Sequence, residues 1–289
     1  MIKKQHLINF IRFSQNYLAI YFPKLSKKFD FRTLNKINEK KPRLSDFAEP
    51  ELFFVNLLLD SGATVFDIGS NIGLYLYRFQ KAGKFERIIG FEPIPLLYKR
   101  LKKYFPDMEI YDFAISDKTE DKTFKIPYID GKIYETRGTL HNYTEEGETK
   151  SEQINVRTIS LDDFVATHHI EDISFIKIDI EGHEIAALRG AKNTLVRFKP
   201  LLLIEIEQRH HKELEINDIF TQIIEFGYQG FFFDKADKRF KPIEDFIVNK
   251  HQNIQNMNHY YINNFLFVSD SNQAIKENFA MIENLFKNQ

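Results

Sequence analysis

From about residue 50 onward the chain alternates helical and strand-like patterns, and this limits the fold more than any other feature. ELFFVNLLLD (51–60) has helical spacing and is closed by Gly62. TVFDI (64–68) is a short β-rich run, followed by a helical stretch to Gly83. RIIGFE (87–92) reads as the next strand, PLLYKRLKKYF (95–105) as a helix with proline at its start, and EIYDFAI (109–115) as a third strand. After a break the rhythm resumes with the strand DISFIKIDI, a helix through IAALRGAKNTLVRF, the strand PLLLIEIE and a helix near NDIFTQIIEFG. YQGFFF and NNFLFV read as late strands. Such alternation predicts an α/β fold with a mostly parallel sheet and helices on both faces.

Two regions depart from the rhythm. Residues 1–45 mix apolar positions at roughly helical spacing (Ile8, Ile11, Leu18, Phe22) with lysines and arginines, which predicts an N-terminal helical arm. A basic amphipathic arm can pack on the main domain or lie on a membrane surface. Residues 118–158 are polar, carry Gly131, Gly138 and Gly147, and contain strand-like TFKIPY and QINVRTI. They are read as an insertion within a domain spanning 46–289, placed to act as a lid over the acceptor.

Composition excludes several functions. With 40 Lys plus Arg against 41 Asp plus Glu, the chain lacks the basic excess of a nucleic-acid binder, so no nucleic-acid partner is expected. There is no cysteine, so thiolate metal sites and a cysteine nucleophile are ruled out. The longest apolar run, YLAIYFP (17–23), is far short of the roughly 20 residues needed to span a bilayer. No secretory leader is recognised, and the expectation is a cytoplasmic protein, with peripheral contact at the inner face of the membrane left open.

The first strand ends in VFDIGSNIG (65–73), and in an open parallel sheet ligands bind at the carboxyl ends of the strands. A dinucleotide fold would show G-x-G-x-x-G here, with helix N–H groups on a pyrophosphate. This chain has Asp67, Gly69, Ser70, Asn71 and Gly73 instead. An acid suits a ligand carrying an ammonium and no phosphate, and S-adenosylmethionine is such a ligand. Glu92, at the end of the next strand and followed by Pro93, can accept hydrogen bonds from a ribose diol. Asp112 and the backbone near Ala114 fall where an adenine edge would lie.

A second cluster is KIDIEGHE (177–184). Strand alternation puts Ile176, Ile178 and Ile180 on one face and Lys177, Asp179 and Glu181 on the other. Charges on a buried strand should gather near its polar end, and PLLLIEIE repeats the feature with Glu205 and Glu207. His210 and His211 are expected in a solvated loop. The spacing of Asp179, Glu181 and His210 matches no closed metal-site signature, so no metal is assigned.

With these motifs in place, the chain resembles the FkbM family of S-adenosylmethionine-dependent O-methyltransferases. The resemblance rests on VFDIGSNIG, GFEP, SLDDF (160–164) and above all FIKIDIEGHEIAALRGA followed by PLLLIEIE, and it covers roughly residues 48–230. It implies a class I methyltransferase, Rossmann-like, with a seven-stranded sheet, and a hydroxyl-bearing acceptor on a sugar, glycolipid or glycosylated product. EPEL (49–52) looks like the family's pre-strand helix, which offers Glu49 or Glu51 to the cofactor pocket. Ser70 is a mild departure from the usual small residue at its position.

Methyl transfer is an in-line displacement in which positioning supplies much of the rate, and a weakly nucleophilic sugar hydroxyl is helped by a base. His183 is the candidate base on pKa grounds, with Asp179 and Glu181 as catalytic partners or substitutes. Metal activation is the competing route. The alternative functions are a non-catalytic adenosylmethionine-binding protein and a nicotinamide-dependent oxidoreductase.

Overall fold

The computed structural model describes residues 18–37, 49–141, 143–144, 146–253, 261–270 and 272–287. The remainder of the 1–45 arm, residues 1–17 and 38–45, lies outside the described residues.

Each apolar run read as a strand enters one sheet, because its side chains alternate between two buried faces. The strands of this sheet are β1 (Thr64–Ile68), β2 (Arg87–Phe91), β3 (Glu109–Tyr111), β8 (Phe175–Ile178), β9 (Leu201–Glu205), β10 (Tyr228–Asp234), β11 (Arg239–Pro242) and β12 (Asn264–Ser269). They lie in the order β11-β10-β12-β9-β8-β1-β2-β3. Pairing is parallel from β3 through β2, β1 and β8 to β9, and antiparallel where β12 meets β9 and β10. The sheet thus has the seven expected strands and an eighth, β11, which folds back on β10 as an edge hairpin.

In β9, Leu202 and Ile204 join one core with Phe66, Ile176 and Ile178, covered by the helices Leu161–Thr167, Glu184–Gly190 and Ile216–Glu225. Leu201 and Leu203 face the opposite core with Val65, Phe54 and Phe79, covered by the helices Glu51–Leu58, Leu74–Ala82 and Gln273–Lys287. Burying both faces is why these strands are mostly apolar rather than alternately polar, with Asp67, Lys177 and Glu205 at or near their carboxyl ends.

EIYDFAI is not one strand but two. The chain breaks at Asp112 after β3 and continues as β4 (Phe113–Ser116) in a second sheet ordered β4-β7-β5-β6. The other members are β5 (Asp121–Ile129), β6 (Lys132–Ile133) and the long β7 (Glu148–Ser160). The insertion's strand-like pieces therefore pair with each other, antiparallel along β5 and β7, while β7 also runs parallel to β4. The helix read through IAALRGAKNTLVRF is likewise divided at Ala191 into Glu184–Gly190 and Lys192–Phe198.

Within the arm, the helix Pro23–Asp30 packs against the helix Pro95–Tyr104. Phe31 is fully buried and stacks on Tyr77 at 4.3 Å. Tyr104 Oη donates to Ser26 Oγ at 2.7 Å, and Arg100 pairs with Asp30.

Candidate functional site

The carboxyl ends of β1, β2 and β8 open onto one cavity, and the turn after β1 forms its floor. Gly69 N–H and Ser70 N–H both donate to Phe91 O (3.1 and 2.9 Å), which ties this turn to β2. At Gly69 φ is +84°, and a Cβ would lie 1.9 Å from Asp179 O, so only glycine lets the two strand ends approach. Gly73 (φ +88°) caps the helix Leu74–Ala82, where a Cβ would strike Phe105 and Leu101. It shapes the turn but does not line the cavity.

The cavity has two compartments. One is mostly apolar, with Ile94, Phe113, Ala114, Phe124 and Leu140 among its walls and Glu92, Pro93 and Asn71 at its polar end. Glu92 is buried and accepts from Ile94 N–H and Asn71 N–H, both at 2.8 Å, leaving each oxygen a further lone pair. Burial raises its carboxyl to about 7, against the two hydrogen bonds that favour the ionised form.

The other compartment is strongly acidic. Glu49, Asp67, Asp179, Glu181, Glu205 and Glu207 line it, and Lys177, Arg137 and Arg209 are its cations. Lys177 is buried, with Nζ 3.1 Å from Asn264 Oδ1 and 3.6 Å from Asp179 Oδ2. Burial is the largest single influence on this ammonium and lowers it, yet Asp179, Glu205, Glu49 and Asp67 together push it above its ordinary value. Burial raises Asp67 to about 7, with Lys177 opposing, and also raises Asp179, Glu181 and Glu205. Glu207 goes the other way: burial is outweighed by Arg209 and Tyr261, and its carboxyl falls to about 2. Glu49 reaches the compartment, where Tyr75 Oη donates to it at 3.2 Å. Glu51 does not; it is buried with its helix and raised to about 7 by desolvation.

The alternation expected for KIDIEGHE holds only to Ile178, where β8 ends. Asp179 N–H still donates to Ile68 O at 3.0 Å, and the chain then turns through Glu181, whose φ is +52°. Thr139 Oγ1, from the insertion, donates to Glu181 O at 2.7 Å and accepts from His141 N–H at 2.9 Å. This fastens residues 139–141 to the turn that carries Asp179, Glu181 and His183. Thr139 and His141 belong to the insertion expected to cover the acceptor, but nothing in the sequence singled out Phe124 or Leu140 as lining the site, because their placement depends on β5 folding over the main sheet.

His183 precedes the helix Glu184–Gly190 and borders both the apolar compartment and a separate open cleft. Its Nε2 shares a 2.9 Å hydrogen bond with Ser116 Oγ at the end of β4, a partner that sequence spacing could not reveal. Burial, then the positive charge of Lys122, lowers the ring to about 4, so the argument from an ordinary imidazole pKa no longer supports it as the base.

The open cleft is lined by His141, Tyr143, His183, Arg189, His210 and His211. His210 and His211 are not solvated as expected but buried. The short helix Gln208–His210 is drawn inward because Gln208 N–H donates to Gln252 Oε1 at 2.7 Å. His211 Nε2 then lies 3.2 Å from Glu184 Oε2, and His210 Nε2 lies 3.5 Å from Glu181 Oε2. No three His, Asp or Glu side chains among the described residues group as a metal site.

Of the residues expected at the site, Asp67, Gly69, Ser70, Asn71, Glu92, Pro93, Ala114, Asp179, Glu181 and His183 converge on the two compartments. Asp112 does not. It is exposed at the crossing between the sheets, and its neighbours Phe113 and Ala114 reach the cavity instead. The buried oxygens Asp67 Oδ2, Asn71 Oδ1 and Glu181 Oε2 have no hydrogen-bond partner among the described residues, which suits a ligand bearing an ammonium and hydroxyl donors.

A sequence profile described as the methyltransferase FkbM domain matches residues 67–233, more than half of the chain. The hexuronic acid methyltransferase AglP of Haloferax volcanii is 25% identical over 206 residues, 69% of this chain and 76% of that protein. The 2-O-methyltransferase NoeI of Sinorhizobium fredii is 28% identical over 153 residues, 50% of this chain and 63% of NoeI. The AMB antimetabolite synthetase AmbE of Pseudomonas aeruginosa is 25% identical over 186 residues, and the match spans only 9% of its length. Among solved structures, a methyltransferase FkbM from Methylobacillus flagellatus is 18% identical with a TM-score of 0.46, covering 72% of this chain and 44% of that one.

Proposed function

This chain belongs to the FkbM methyltransferase family, and from that premise we propose that it transfers a methyl group from S-adenosylmethionine to a hydroxyl of a sugar. The observation that carries the donor is the pair of adjoining compartments lined by buried oxygens that have no hydrogen-bond partner among the described residues. Asp67 and Asp179, with Glu49 beside them, hold the donor's ammonium; Glu92 accepts from the ribose hydroxyls. Phe113, Ala114 and Leu140 enclose the base. The donor supplies an activated methyl on a sulfonium when bound.

For the acceptor, the reading follows the activities of two relatives, a hexuronic acid methyltransferase and a 2-O-methyltransferase. Geometry supports it: the histidine-lined cleft is open to solvent at one end and shares His183 with the donor compartment. A hydroxyl entering there would pass His183 before reaching Asp179 and Glu181. His183, backed by Ser116, is the group placed to take the hydroxyl proton, and Glu181 orients the acceptor oxygen. Thr139 holds the insertion against the turn that carries Glu181.

The test is transfer of tritiated methyl from adenosylmethionine to sugars, uronic acids first, with adenosylhomocysteine binding measured alongside. Labelled product containing a methyl ether supports the reading. Binding of neither ligand at millimolar concentration refutes the donor assignment, and binding without transfer to any glycan refutes the acceptor assignment.

A further inference from the structure

The arm carries a feature that methyl transfer does not use. Leu18, Tyr21, Phe22, Leu25 and Phe29 are 39, 63, 54, 62 and 60% exposed, and they are five of the ten exposed large hydrophobic side chains among the described residues. Leu25 and Phe29 lie one turn apart on the helix Pro23–Asp30, while Phe22, the residue before it, is non-helical (φ −129°, ψ 57°) and Leu18 and Tyr21 sit on the helical turn that precedes it. Backbone bonds from Phe22 N–H to Leu18 O (2.8 Å) and from Ser26 N–H to Phe22 O (3.0 Å) join the two pieces. Among the described residues the arm meets the protein body through other side chains: Ala19, Ser26 and Phe31 are buried, and Asp30 is held by Arg100.

Charge decides between the remaining occupants. Six lysines and arginines (Lys3, Lys4, Arg12, Lys24, Lys27, Lys28) precede Asp30, the first acidic residue of a chain whose net charge is −1. Lys24, Lys28 and Arg32 are exposed beside the stripe, with the Arg32 guanidinium 4.7 Å from the Phe29 ring. A second copy docking through this face about a two-fold axis would set these cations against their own counterparts. An anionic lipid surface complements them, and apolar and basic signals together are what stable interfacial binding requires.

We propose that residues 18–32 form an interfacial membrane anchor. The apolar stripe enters the boundary between headgroups and acyl chains, and Lys24, Lys28 and Arg32 lie at the lipid phosphates. This rests on the arm alone and is independent of the acceptor reading.

The experiment is flotation of the full chain with vesicles of phosphatidylglycerol in phosphatidylcholine, and with phosphatidylcholine alone. The protein should float with the anionic vesicles and not the neutral ones, and about 0.5 M salt should release most of it. The double variant Lys24→Glu/Lys28→Glu should weaken partition by at least about tenfold. Leu25→Ser/Phe29→Ser, at two exposed positions, should abolish it while the melting temperature and adenosylhomocysteine binding stay at wild-type values. Failure of the wild-type chain to float, equal floating on neutral vesicles, or unaltered floating of the Leu25→Ser/Phe29→Ser variant overturns the proposal. So does light scattering that shows a dimer lost in that variant, since the stripe would then be an interface between copies.

Discussion

Replacing His183 by alanine separates a proton acceptor from a residue that merely starts a helix. Its ring lies between the donor compartment and the histidine-lined cleft, with Nε2 held by Ser116 Oγ at 2.9 Å. Burial and the charge of Lys122 lower its pKa from the ordinary 6.5 to about 4. That fall corresponds to roughly 3 kcal/mol of extra cost for holding a proton on the ring. At pH 7 only about one ring in a thousand is protonated, so the acceptor form is fully populated but weakly basic. A weak base belongs at the low end of the range for general-base catalysis, and His183→Ala should lower kcat by about 10- to 100-fold. Adenosylhomocysteine affinity should change little, because a group acting in the transfer step leaves ground-state binding of the cofactor nearly intact. The sign of the pH dependence follows from the same shift. A base works when deprotonated, so wild-type kcat/KM should be level from pH 6 to 9 on account of this group and fall only towards its pKa of about 4. The assay is labelled methyl transfer across that pH range for wild type, His183→Ala and Ser116→Ala, with the last losing less than the second. Full activity of His183→Ala from pH 6 to 9 removes His183 from the chemistry. An acid limb near 6.5 that disappears in His183→Ala would keep it as base but refute the burial argument.

Three further outcomes follow from the same geometry. Gly69→Ala should lower both the melting temperature and cofactor affinity: the left-handed backbone alone costs roughly 1–2 kcal/mol, and the added Cβ would lie 1.9 Å from Asp179 O, so an unchanged melt is inconsistent with this packing. Asp67, with Glu51 and Glu92, has its carboxyl raised by burial to about 7, so these groups stabilise the ligand-free fold fully below about pH 4 and lose that contribution as pH rises through about 7. Asp67→Asn should flatten part of this decline in thermal melts, and ammonium-bearing adenosylhomocysteine should displace a proton from wild type near pH 6.5, seen as buffer-dependent binding heat. Thr139→Val breaks the hydrogen bond to Glu181 O and should reduce methyl transfer several-fold with little effect on cofactor binding; equal loss of both would make residues 139–141 structural rather than an acceptor lid.

The sheet was legible because its signal is local. Val65 and Phe66, or Leu201 to Ile204, have two buried faces to fill, and a strand between helical layers lets so short an apolar run do so. Acids at the ends of β1 and β2 stood out for the same reason: a charge at the edge of an apolar run marks where the strand leaves the core. What the sequence concealed depends on pairing between distant segments. The break at Asp112 follows from β4 aligning with β7 some 40 residues later, which no local pattern encodes. Ser116 meets His183, and Thr139 meets Glu181, across 67 and 42 residues of chain. His210 and His211 look like loop residues until Gln208 is fastened to Gln252 and turns them inward.

The acidic compartment gives a physical reason for the order in which the two substrates would bind. Six carboxylates face Lys177, Arg137 and Arg209, and Arg209 is already committed to Glu207 through two hydrogen bonds. Burial and mutual repulsion therefore hold Asp67, Asp179, Glu181 and Glu205 above their ordinary pKa values while the compartment contains no ligand. An arriving ammonium and sulfonium would compensate this excess and favour the ionised form of each acid. Glu181 would respond although it lies on the acceptor side, because Asp179 is the largest charge acting on it after burial itself. Filling the donor compartment would thus alter the charge state of Glu181, the residue proposed to orient the acceptor oxygen. A neutral sugar hydroxyl gives the acids no such compensation, so donor first and acceptor second is the sequence of binding that this arrangement of charges favours.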